Sequence, residues 1–525
     1  MIRTMSRRRN ALFSALLLTG CTVGPEYKKP EVPVPDSFRS QINLTQAGSF
    51  ADQPWWGVFQ DKALQQLIRD ALVNNNDLRL AIARIEESRA QVEIINSESL
   101  PQVGYQALAG GEKSVIPAPH NPKAATFGTF EGLLSAAWEF DLWGRIKHST
   151  DAAKSDLLGQ EDVRRGVMLT LVSDLAANYF NLLELDRELA IAQESAAAYK
   201  KTFDLFDARF QAGKDSRLPV ERAQASYDAS TANIHDLTRQ IGQTENAIST
   251  LVGIYPGTIA RGARLEDQAM PPTPVGSTTA LLQRRPDILQ AEQGMIAANA
   301  RIGEAVANFF PRIGLSTLIG GQGLLAGGSW SGFGVWSAAL GAAGPIYSGG
   351  GLEGNYHQRQ AVWDETIATY KQKVLIAFRE TSDALKAQET LPLRRTALNS
   401  QVGALKNSTD LALMRYDAGR SSYFEVLEAQ QQYFQGAFDL ARTERDQLLA
   451  VVNLYKALGG GWSAEPTQPG GPSQGATLSP IAMNQADEAK PVQDTVLSPT
   501  KVEITPPLAL KSDQETKPSP DDAHQ

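Results

Sequence analysis

Polar and apolar residues alternate with a period of two between Gly128 and Leu142. The even-numbered positions are apolar or glycine, and most odd-numbered positions are small or polar, including Glu131 and Glu139. At a rise of about 3.3 Å per residue such a strand spans about 50 Å, far more than the usual strand of five or six residues. Long alternating strands with aromatic residues near their ends are typical of transmembrane β-barrels. A long hairpin of a soluble sandwich is the alternative.

The segments on either side of this strand have helical spacing. Apolar positions repeat every three or four residues over Asp61–Ser99, with a break at Asn74–Asn76. The run Arg145–Ala212 contains no proline and, as one helix, would be about 100 Å long. Gly213 then predicts a tight turn, and a returning helix follows at about Arg217–Val252.

The second half of the chain repeats this order. "SESLPQVGY" at Ser97–Tyr105 is answered by "ANFFPRIGL" at Ala307–Leu315. The elements predicted after it are strands at Pro311–Leu325 and Trp330–Tyr347, a long helix kinked at Pro392 and ending at Gly419, and a last helix at Ser421–Leu458. The repeat therefore covers nearly the whole chain, at a period too long for a solenoid.

The two predicted helical turns carry the clearest internal match. "RFQAGKDSRLPVERAQASY" at Arg209–Tyr227 aligns with "RYDAGRSSYFEVLEAQQQY" at Arg415–Tyr433, and eight of the nineteen positions are identical. The identical pairs are Arg209/Arg415, Ala212/Ala418, Gly213/Gly419, Ser216/Ser422, Val220/Val426, Ala223/Ala429, Gln224/Gln430 and Tyr227/Tyr433. The copies differ just after the turn, where "RLPVER" becomes "YFEVLE".

Composition excludes several classes of protein. The 525 residues carry a net charge of −8, so no basic stripe is available to bind nucleic acid. A mean hydropathy of −0.26 is too polar for a helical membrane protein. The five histidines are scattered singly, without metal-ligand spacing, and we expect no metal and no cofactor.

The N-terminus has the pattern of an exported protein. A positive region with four arginines precedes the short apolar stretch Ala11–Leu18, which predicts a signal peptide at 1–20. The arginines do not decide between general secretory and twin-arginine export. Cys21 is the only cysteine and follows "LLTG", which resembles the lipobox of bacterial lipoproteins. We therefore expect Cys21 to be acylated, the alternative being a chance cysteine beside a cleavage site. Thr22 replaces the aspartate that retains such lipoproteins in the inner membrane, so the outer membrane is favoured.

Four predicted strands per chain are too few for a membrane barrel. Transmembrane β structure must close on itself, and bacterial outer-membrane barrels begin at eight strands. The barrel must therefore be shared between chains, and three chains would supply twelve strands. The long helices leave the same end of each unit, which predicts a helical tube about 100 Å deep.

The chain resembles the TolC-like outer-membrane factors, in the NodT-type lipoprotein branch. The matching segments are "LLTGC", "TVGPEYKKP", "WW" at Trp55, "LPQVG", "FFPRIG", "DLWGR", "RRPDI" and "RYDAGRSSYFEVLEAQ". The resemblance implies a mixed α/β membrane protein: a trimeric 12-strand transmembrane β-barrel continuous with a long periplasmic α-helical barrel. It also implies an outer-membrane exit duct for small toxic compounds, docked on a periplasmic adaptor protein and an inner-membrane resistance-nodulation-division pump. It does not identify the compound exported.

The predicted division of the chain follows this resemblance. It comprises the signal peptide at 1–20, a lipidated extended segment at 21–60, a first efflux repeat at 61–260, a second at 278–461, and a disordered tail at 463–525. The tail has ten prolines and no aromatic residue, and is too polar to form a core.

By the same resemblance, the turns at Gly213 and Gly419 are the tips that contact the adaptor, and the second tip forms the periplasmic gate. Its expected residues are an apolar ring at Phe424 and acidic rings at Glu425 and Glu428. Tyr416 matches a tyrosine that latches the closed state in protein-exporting relatives. The usual partners of that tyrosine are absent here, since Ser421 replaces a basic residue and Pro219 an acidic one, so a different or weaker latch is expected.

Other functions fit the sequence less well. "GQGLLA" at Gly321–Ala326 has the spacing of a dinucleotide-binding loop, but no helix pattern follows it. No nucleophile elbow is present, and we expect no enzyme. A protein-secreting duct, or a coiled-coil scaffold lipoprotein, are the remaining alternatives; the scaffold does not explain the strands.

Overall fold

The computed structural model describes residues 22–39, 52, 55–116, 123–274, 277–326 and 329–460, all within one compact unit, Met1–Pro466. The predicted signal peptide, Cys21 and the predicted tail at 463–525 lie outside the described residues. A short helix, α1, at Trp55–Val58 opens the helical part.

Helices α2 (Lys62–Asn74) and α3 (Asn76–Ser97) meet at Asn75. The Asn75 backbone N–H closes the last turn of α2, while its Oδ1 accepts a hydrogen bond from the Leu78 N–H at 3.0 Å and so caps α3. Asp61 caps α2 in the same way, through the N–H groups of the first turn. The predicted break at Asn74–Asn76 is confirmed.

Two helices of equal length dominate the chain. Helices α4 (Arg145–Gln211) and α8 (Gly351–Asp417) have 67 residues each, so both are about 100 Å long. The remaining helices are α5 (Arg217–Val252), α6 (Thr278–Arg284), α7 (Pro286–Ala307) and α9 (Tyr423–Ala457), with a 3₁₀ turn at Leu265–Asp267. Helix α8 continues through Pro392, where one backbone hydrogen bond is lost because proline has no N–H.

Among the described residues, α4 contains a window apolar enough to cross a membrane, but 56% of that window is buried inside the protein. Leu175, Tyr179 and Leu182 within α4 are fully buried. They pack with apolar residues of α2, α7, α8 and α9, chiefly Leu64, Ile68, Ile288, Met295, Tyr370 and Tyr455. The apolar content of α4 therefore serves the core of the helical part.

The four strands form one antiparallel sheet in chain order. They are β1 (Gln102–Ile116), β2 (Lys123–Phe140), β3 (Arg312–Ala326) and β4 (Ser329–Ala343). Strand β2 ends at Phe140, two residues before the predicted end. The next residue, Asp141, accepts the Lys147 N–H at 2.8 Å at the start of α4.

The prediction that the fourth strand extends to Tyr347 is wrong. It ends at Ala343, before Gly344 and Pro345, because a proline cannot donate to the strand ladder. "GQGLLA" lies within β3, so no helix begins there and the dinucleotide-binding alternative fails.

The sheet has two chemically different faces. Tyr105, Leu134, Ile319 and Trp336 are successive cross-strand partners on β1 to β4, and each side chain is more than half exposed. On the opposite face, three positions away along β2, Glu131 accepts a hydrogen bond from Gln322 of β3 at 2.7 Å. One face therefore exposes a continuous apolar row across all four strands, and the other carries this polar pair.

The N-terminal segment follows the junction between sheet and helices. The Val23 N–H donates to the Trp143 carbonyl at 3.1 Å, and the Val23 carbonyl contacts His148 Nε2 at 2.8 Å. Farther along, Lys29 pairs with Glu292 of α7 at 2.7 Å. Thr22, which follows Cys21, is thus positioned where β2 passes into α4.

The candidate functional site at the helix turns

The 67-residue helices end in the same kind of turn. Gly213 and Gly419 have φ values of +68° and +67°, which strongly favour glycine. The Lys214 N–H bonds to the Arg209 carbonyl at 2.9 Å, and the Arg420 N–H bonds to the Arg415 carbonyl at the same distance. The N–H of each glycine also donates to the carbonyl three residues before it, and the two bonds at each turn form the Schellman motif. The two turns predicted from the repeat therefore share one backbone geometry.

An aromatic cluster joins the two helical hairpins close to these turns. The ring of Phe206 on α4 lies 4.7 Å from that of Tyr423 at the start of α9, and Tyr416 at the end of α8 lies 5.0 Å from Tyr423. The Tyr423 hydroxyl hydrogen-bonds to the Thr202 hydroxyl. Burial raises the pKa of Tyr423, and the hydrogen bond from Thr202 partly opposes this rise.

Tyr416 has a partner that the sequence did not predict. Its hydroxyl accepts a hydrogen bond from Arg209 Nη1 at 3.1 Å, across from α8 to α4 of the same chain. Arg209 Nε also lies 2.5 Å from the Asp215 carboxylate, which follows the first turn. Arg209 therefore connects the two hairpins close to the turns.

The predicted gate residues occupy the first two turns of α9. Phe424 is 54% exposed, and the Arg222 guanidinium of α5 lies 5.6 Å above its ring. Glu425 is exposed and lies 3.7 Å from Arg415. Glu428, one turn farther along, accepts a long hydrogen bond of 3.4 Å from Gln432. The structure thus brings the three residues together on one exposed helix end, with Glu425 near one arginine and Glu428 bonded only weakly to a neutral amide.

A cleft of about 310 Å³ lies between the two hairpins at this level. Its walls include Phe206, Leu218, Pro219 and Phe424, with the charged groups of Arg209 and Arg222 at the side. Within the described part of the chain, no group of three or more side chains could hold a metal ion. The chemistry available here is therefore electrostatic and apolar contact.

The sequence did not identify the roles of Phe206, Arg209, Arg222 and Tyr423. Arg209 is one of the repeated positions, but its contact with Tyr416 joins residues 207 positions apart. Tyr423 replaces Arg217 of the first copy, and this difference between the copies was the available signal.

Solved outer-membrane channels share this fold. A crystal structure of CusC superimposes with a TM-score of 0.73 at 29% identity, covering 84% of this chain and all of that chain. The open-state MtrE outer-membrane channel of Neisseria gonorrhoeae gives 0.73 at 28% identity, covering 84% of this chain and 99% of that chain. The outer-membrane channel OprN superimposes with a TM-score of 0.75 at 27% identity, covering 85% of this chain and all of that chain.

The chain belongs to the outer membrane efflux protein family, whose model matches residues 67–254 and 278–460. Among its relatives, the toluene efflux pump outer membrane protein TtgI of Pseudomonas putida is 34% identical over 469 residues, 86% of this chain and 98% of the relative. The cation efflux system protein CusC of Escherichia coli K12 is 30% identical over 458 residues, 85% of this chain and 98% of the relative.

Proposed function

We propose that three copies of this chain close a twelve-stranded transmembrane barrel, which continues into a periplasmic helical barrel and forms the exit duct of a tripartite efflux pump. The observation that carries the proposal is the sheet. Among the described residues, no strand pairs with the outer edge of β1 or of β4, and the apolar row Tyr105–Leu134–Ile319–Trp336 is exposed. Lipid would cover that row, and only closure satisfies backbone groups at the edges within a bilayer.

The same arrangement supports the direction of the duct. Helices α4 and α8 begin at the same end of the sheet, after β2 and β4, and end in matching turns. The turns then lie at the end of the tube farthest from the membrane, where an adaptor protein and an inner-membrane pump of the resistance-nodulation-division type would meet them. Six turns from three chains would form this end.

The cargo is set by partners rather than by this chain. TtgI is named for toluene and CusC for cations, yet each relative matches this chain over 98% of its own length. The duct is passive in this proposal, and small toxic compounds of different chemistry could pass through it.

The gate would lie at the second turn. Phe424, Glu425 and Glu428 stand on the exposed end of α9, and the bond from Arg209 to Tyr416 holds the second hairpin against the first. Three copies would place three phenyl rings and six carboxylates around one axis.

Two measurements test the proposal: the mass of the solubilised assembly, and the assembly of a pair of variants. Detergent-solubilised protein should contain three chains and conduct ions in a planar bilayer. Trp336→Lys puts a charge on the proposed lipid face and should cost about 2–4 kcal/mol if it lies near the bilayer centre. Ser337→Lys, on the opposite face of the same strand, is the control and should still assemble. A stable monomer, or equal behaviour of the two variants, would contradict the barrel.

A further inference from the structure

Two carboxyl groups are buried on successive turns of α4, far from the turn regions. Glu184 is 3% exposed and Glu188 is 5% exposed, and the two lie within hydrogen-bonding reach of each other. Residues four apart occupy the same face of a helix. Removing two like charges from water at one place is costly unless counter-charges or protons compensate them.

The counter-charges come from α9 and are unequally shared. Arg442 Nε lies 2.7 Å from the Glu188 carboxylate and 3.9 Å from Glu184. Arg445 Nη1 lies 3.5 Å from Glu184, while its Nη2 lies 2.8 Å from the Asp446 carboxylate on its own helix. Glu188 thus has a close cationic partner, and Glu184 has only distant ones.

The surrounding charges leave an acidic surplus. On α9 the carboxylates of Asp439 and Asp446 lie 4.0 Å from Arg442 and 2.8 Å from Arg445, and on α4 the Asn181 amide oxygen accepts from Arg445 at 3.4 Å. The cluster therefore has four carboxyl groups, Glu184, Glu188, Asp439 and Asp446, against two guanidinium groups.

A third guanidinium near this part of α4 already has two carboxylate partners. Arg261, in the loop after α5, binds Asp186 of α4 at 2.9 Å and also contacts Glu245 of α5. This one cation serves two carboxylates and is not supplied to Glu184. A proton is the remaining means of compensation.

We propose that Glu184 and Glu188 form a proton-binding site that holds α9 against α4, with one proton shared by the two carboxyl groups and donated from Glu184 to Glu188. In the protonated state Glu188 accepts the bond from Arg442, Arg445 pairs with Asp446, and neither of the two buried carboxyl groups is an unpaired anion. Loss of the proton places a second buried anion beside the first and weakens the contact.

The pKa of Glu184 agrees with this geometry. Burial, and then the Glu188 carboxylate, raise it from an ordinary value of 4.5 to about 7, against the opposing effects of Arg445 and Arg442. Between these two values the folded protein keeps a proton that the unfolded chain has lost, so stability falls as pH rises through this window.

The site connects the two helices that meet again at the turns. Glu184 precedes the end of α4 by 27 residues, which is about 40 Å, and α9 carries Phe424, Glu425 and Glu428 at its start. A proton bound here would favour the arrangement in which the two hairpins are joined. Glu184, Glu188, Arg442 and Arg445 all belong to one chain. The proposed proton site therefore stands even if the proposed trimeric duct is wrong.

The test is a titration of the detergent-solubilised full-length protein by infrared difference spectroscopy. We expect a protonated carboxyl band that disappears with a midpoint near pH 7, is missing in Glu184→Gln, and is unchanged in Glu86→Gln, whose carboxylate is exposed on α3 and paired with Arg89. The melting temperature of the wild type should fall between pH 5 and pH 8, and that of Glu184→Gln should fall less.

A second variant keeps the test decisive if Glu184→Gln fails to fold. Arg445→Gln removes a group that lowers the pKa of Glu184, so the midpoint should move to higher pH. A midpoint near 4.5 in the wild type, a band that persists in Glu184→Gln, or a midpoint that moves down in Arg445→Gln would each overturn the proposal. Equal pH dependence of melting in the wild type and Glu184→Gln would overturn the coupling to the helix contact.

Discussion

Single residues determine how the helical turns are made. Gly419 has φ of +67°, and no atom lies within 4 Å of the position where a Cβ would stand. Conformation, rather than lack of space, therefore requires glycine. Gly419→Ala should lower stability by about 1 kcal/mol, because a left-handed conformation is unfavourable for an L-residue.

The control for this change is Gly403→Ala, an exposed position inside α8 with equally open surroundings. There alanine should be neutral or stabilising by up to about 1 kcal/mol, since it has the higher helix propensity. Thermal unfolding of the two variants measures the difference. Equal effects at both positions would mean that the turn geometry at Gly419 is not required.

The carboxylates at the proposed gate give a second prediction at this scale. Like charges about 4 Å apart repel by about 4 kcal/mol at an effective dielectric of 20, so a closed ring would attract cations. The duct should then prefer cations, and divalent cations should block it from the periplasmic side. Glu425→Gln combined with Glu428→Gln should remove both effects, while Phe424→Ala should raise the resting conductance.

Bilayer conductance measures these properties directly. Glu353→Gln, at the exposed start of α8 and far from the turns, should leave selectivity and block unchanged. If the double variant keeps the wild-type selectivity, the constriction lies elsewhere in the duct.

Between elements, few hydrogen bonds of the described residues join the two hairpins close to the turns. The hydrogen bond from Arg209 to Tyr416 joins α4 to α8, and a bond from a charged donor contributes about 1.5–3 kcal/mol. Tyr416→Phe removes this bond and keeps the ring beside Tyr423. The open fraction of the duct should rise about tenfold or more, since 1.4 kcal/mol is a factor of ten.

Single-channel recording measures the open fraction. Tyr356→Phe, which removes a hydroxyl that accepts a hydrogen bond from Gln360 one turn along α8, is the matched control and should have no effect. An open fraction unchanged by Tyr416→Phe would assign the closed state to other contacts, such as the bond between Thr202 and Tyr423.

Elements whose apolar residues repeat with one clear period could be predicted from the sequence. The contacts between those elements could not. The alternation over Gly128–Leu142 located β2, and the glycine turns located the ends of α4 and α8. Strand β1 contains Gly104, Gly110 and Gly111, has no clean alternation, and takes its limits from pairing with β2. The partner of Tyr416 depends on how two hairpins pack, which no local pattern encodes.

At the scale of the whole molecule, the N-terminal segment relates the proposed lipid to the sheet. Thr22 lies beside the junction of β2 and α4, so acyl chains on Cys21 would enter the membrane next to the barrel. Mass spectrometry of the mature N-terminus should find a diacylglycerol adduct on Cys21. Cys21→Ser should weaken retention in the membrane fraction, because stable anchoring needs two or more acyl chains. An unmodified N-terminus at another residue would exclude this anchor.

The equal length of α4 and α8 restricts how such a protein can change in evolution. One added residue in either helix would displace its turn by about 1.5 Å and rotate it by about 100°, so the two turns would no longer lie level or face the same way. The match is preserved only by insertions that add the same number of whole turns to α4 and α8 and to the returning helices α5 and α9. An insertion of 18 residues, for example, adds five turns. Related chains should therefore differ in helix length by such common steps, with gaps recurring at corresponding places in both halves.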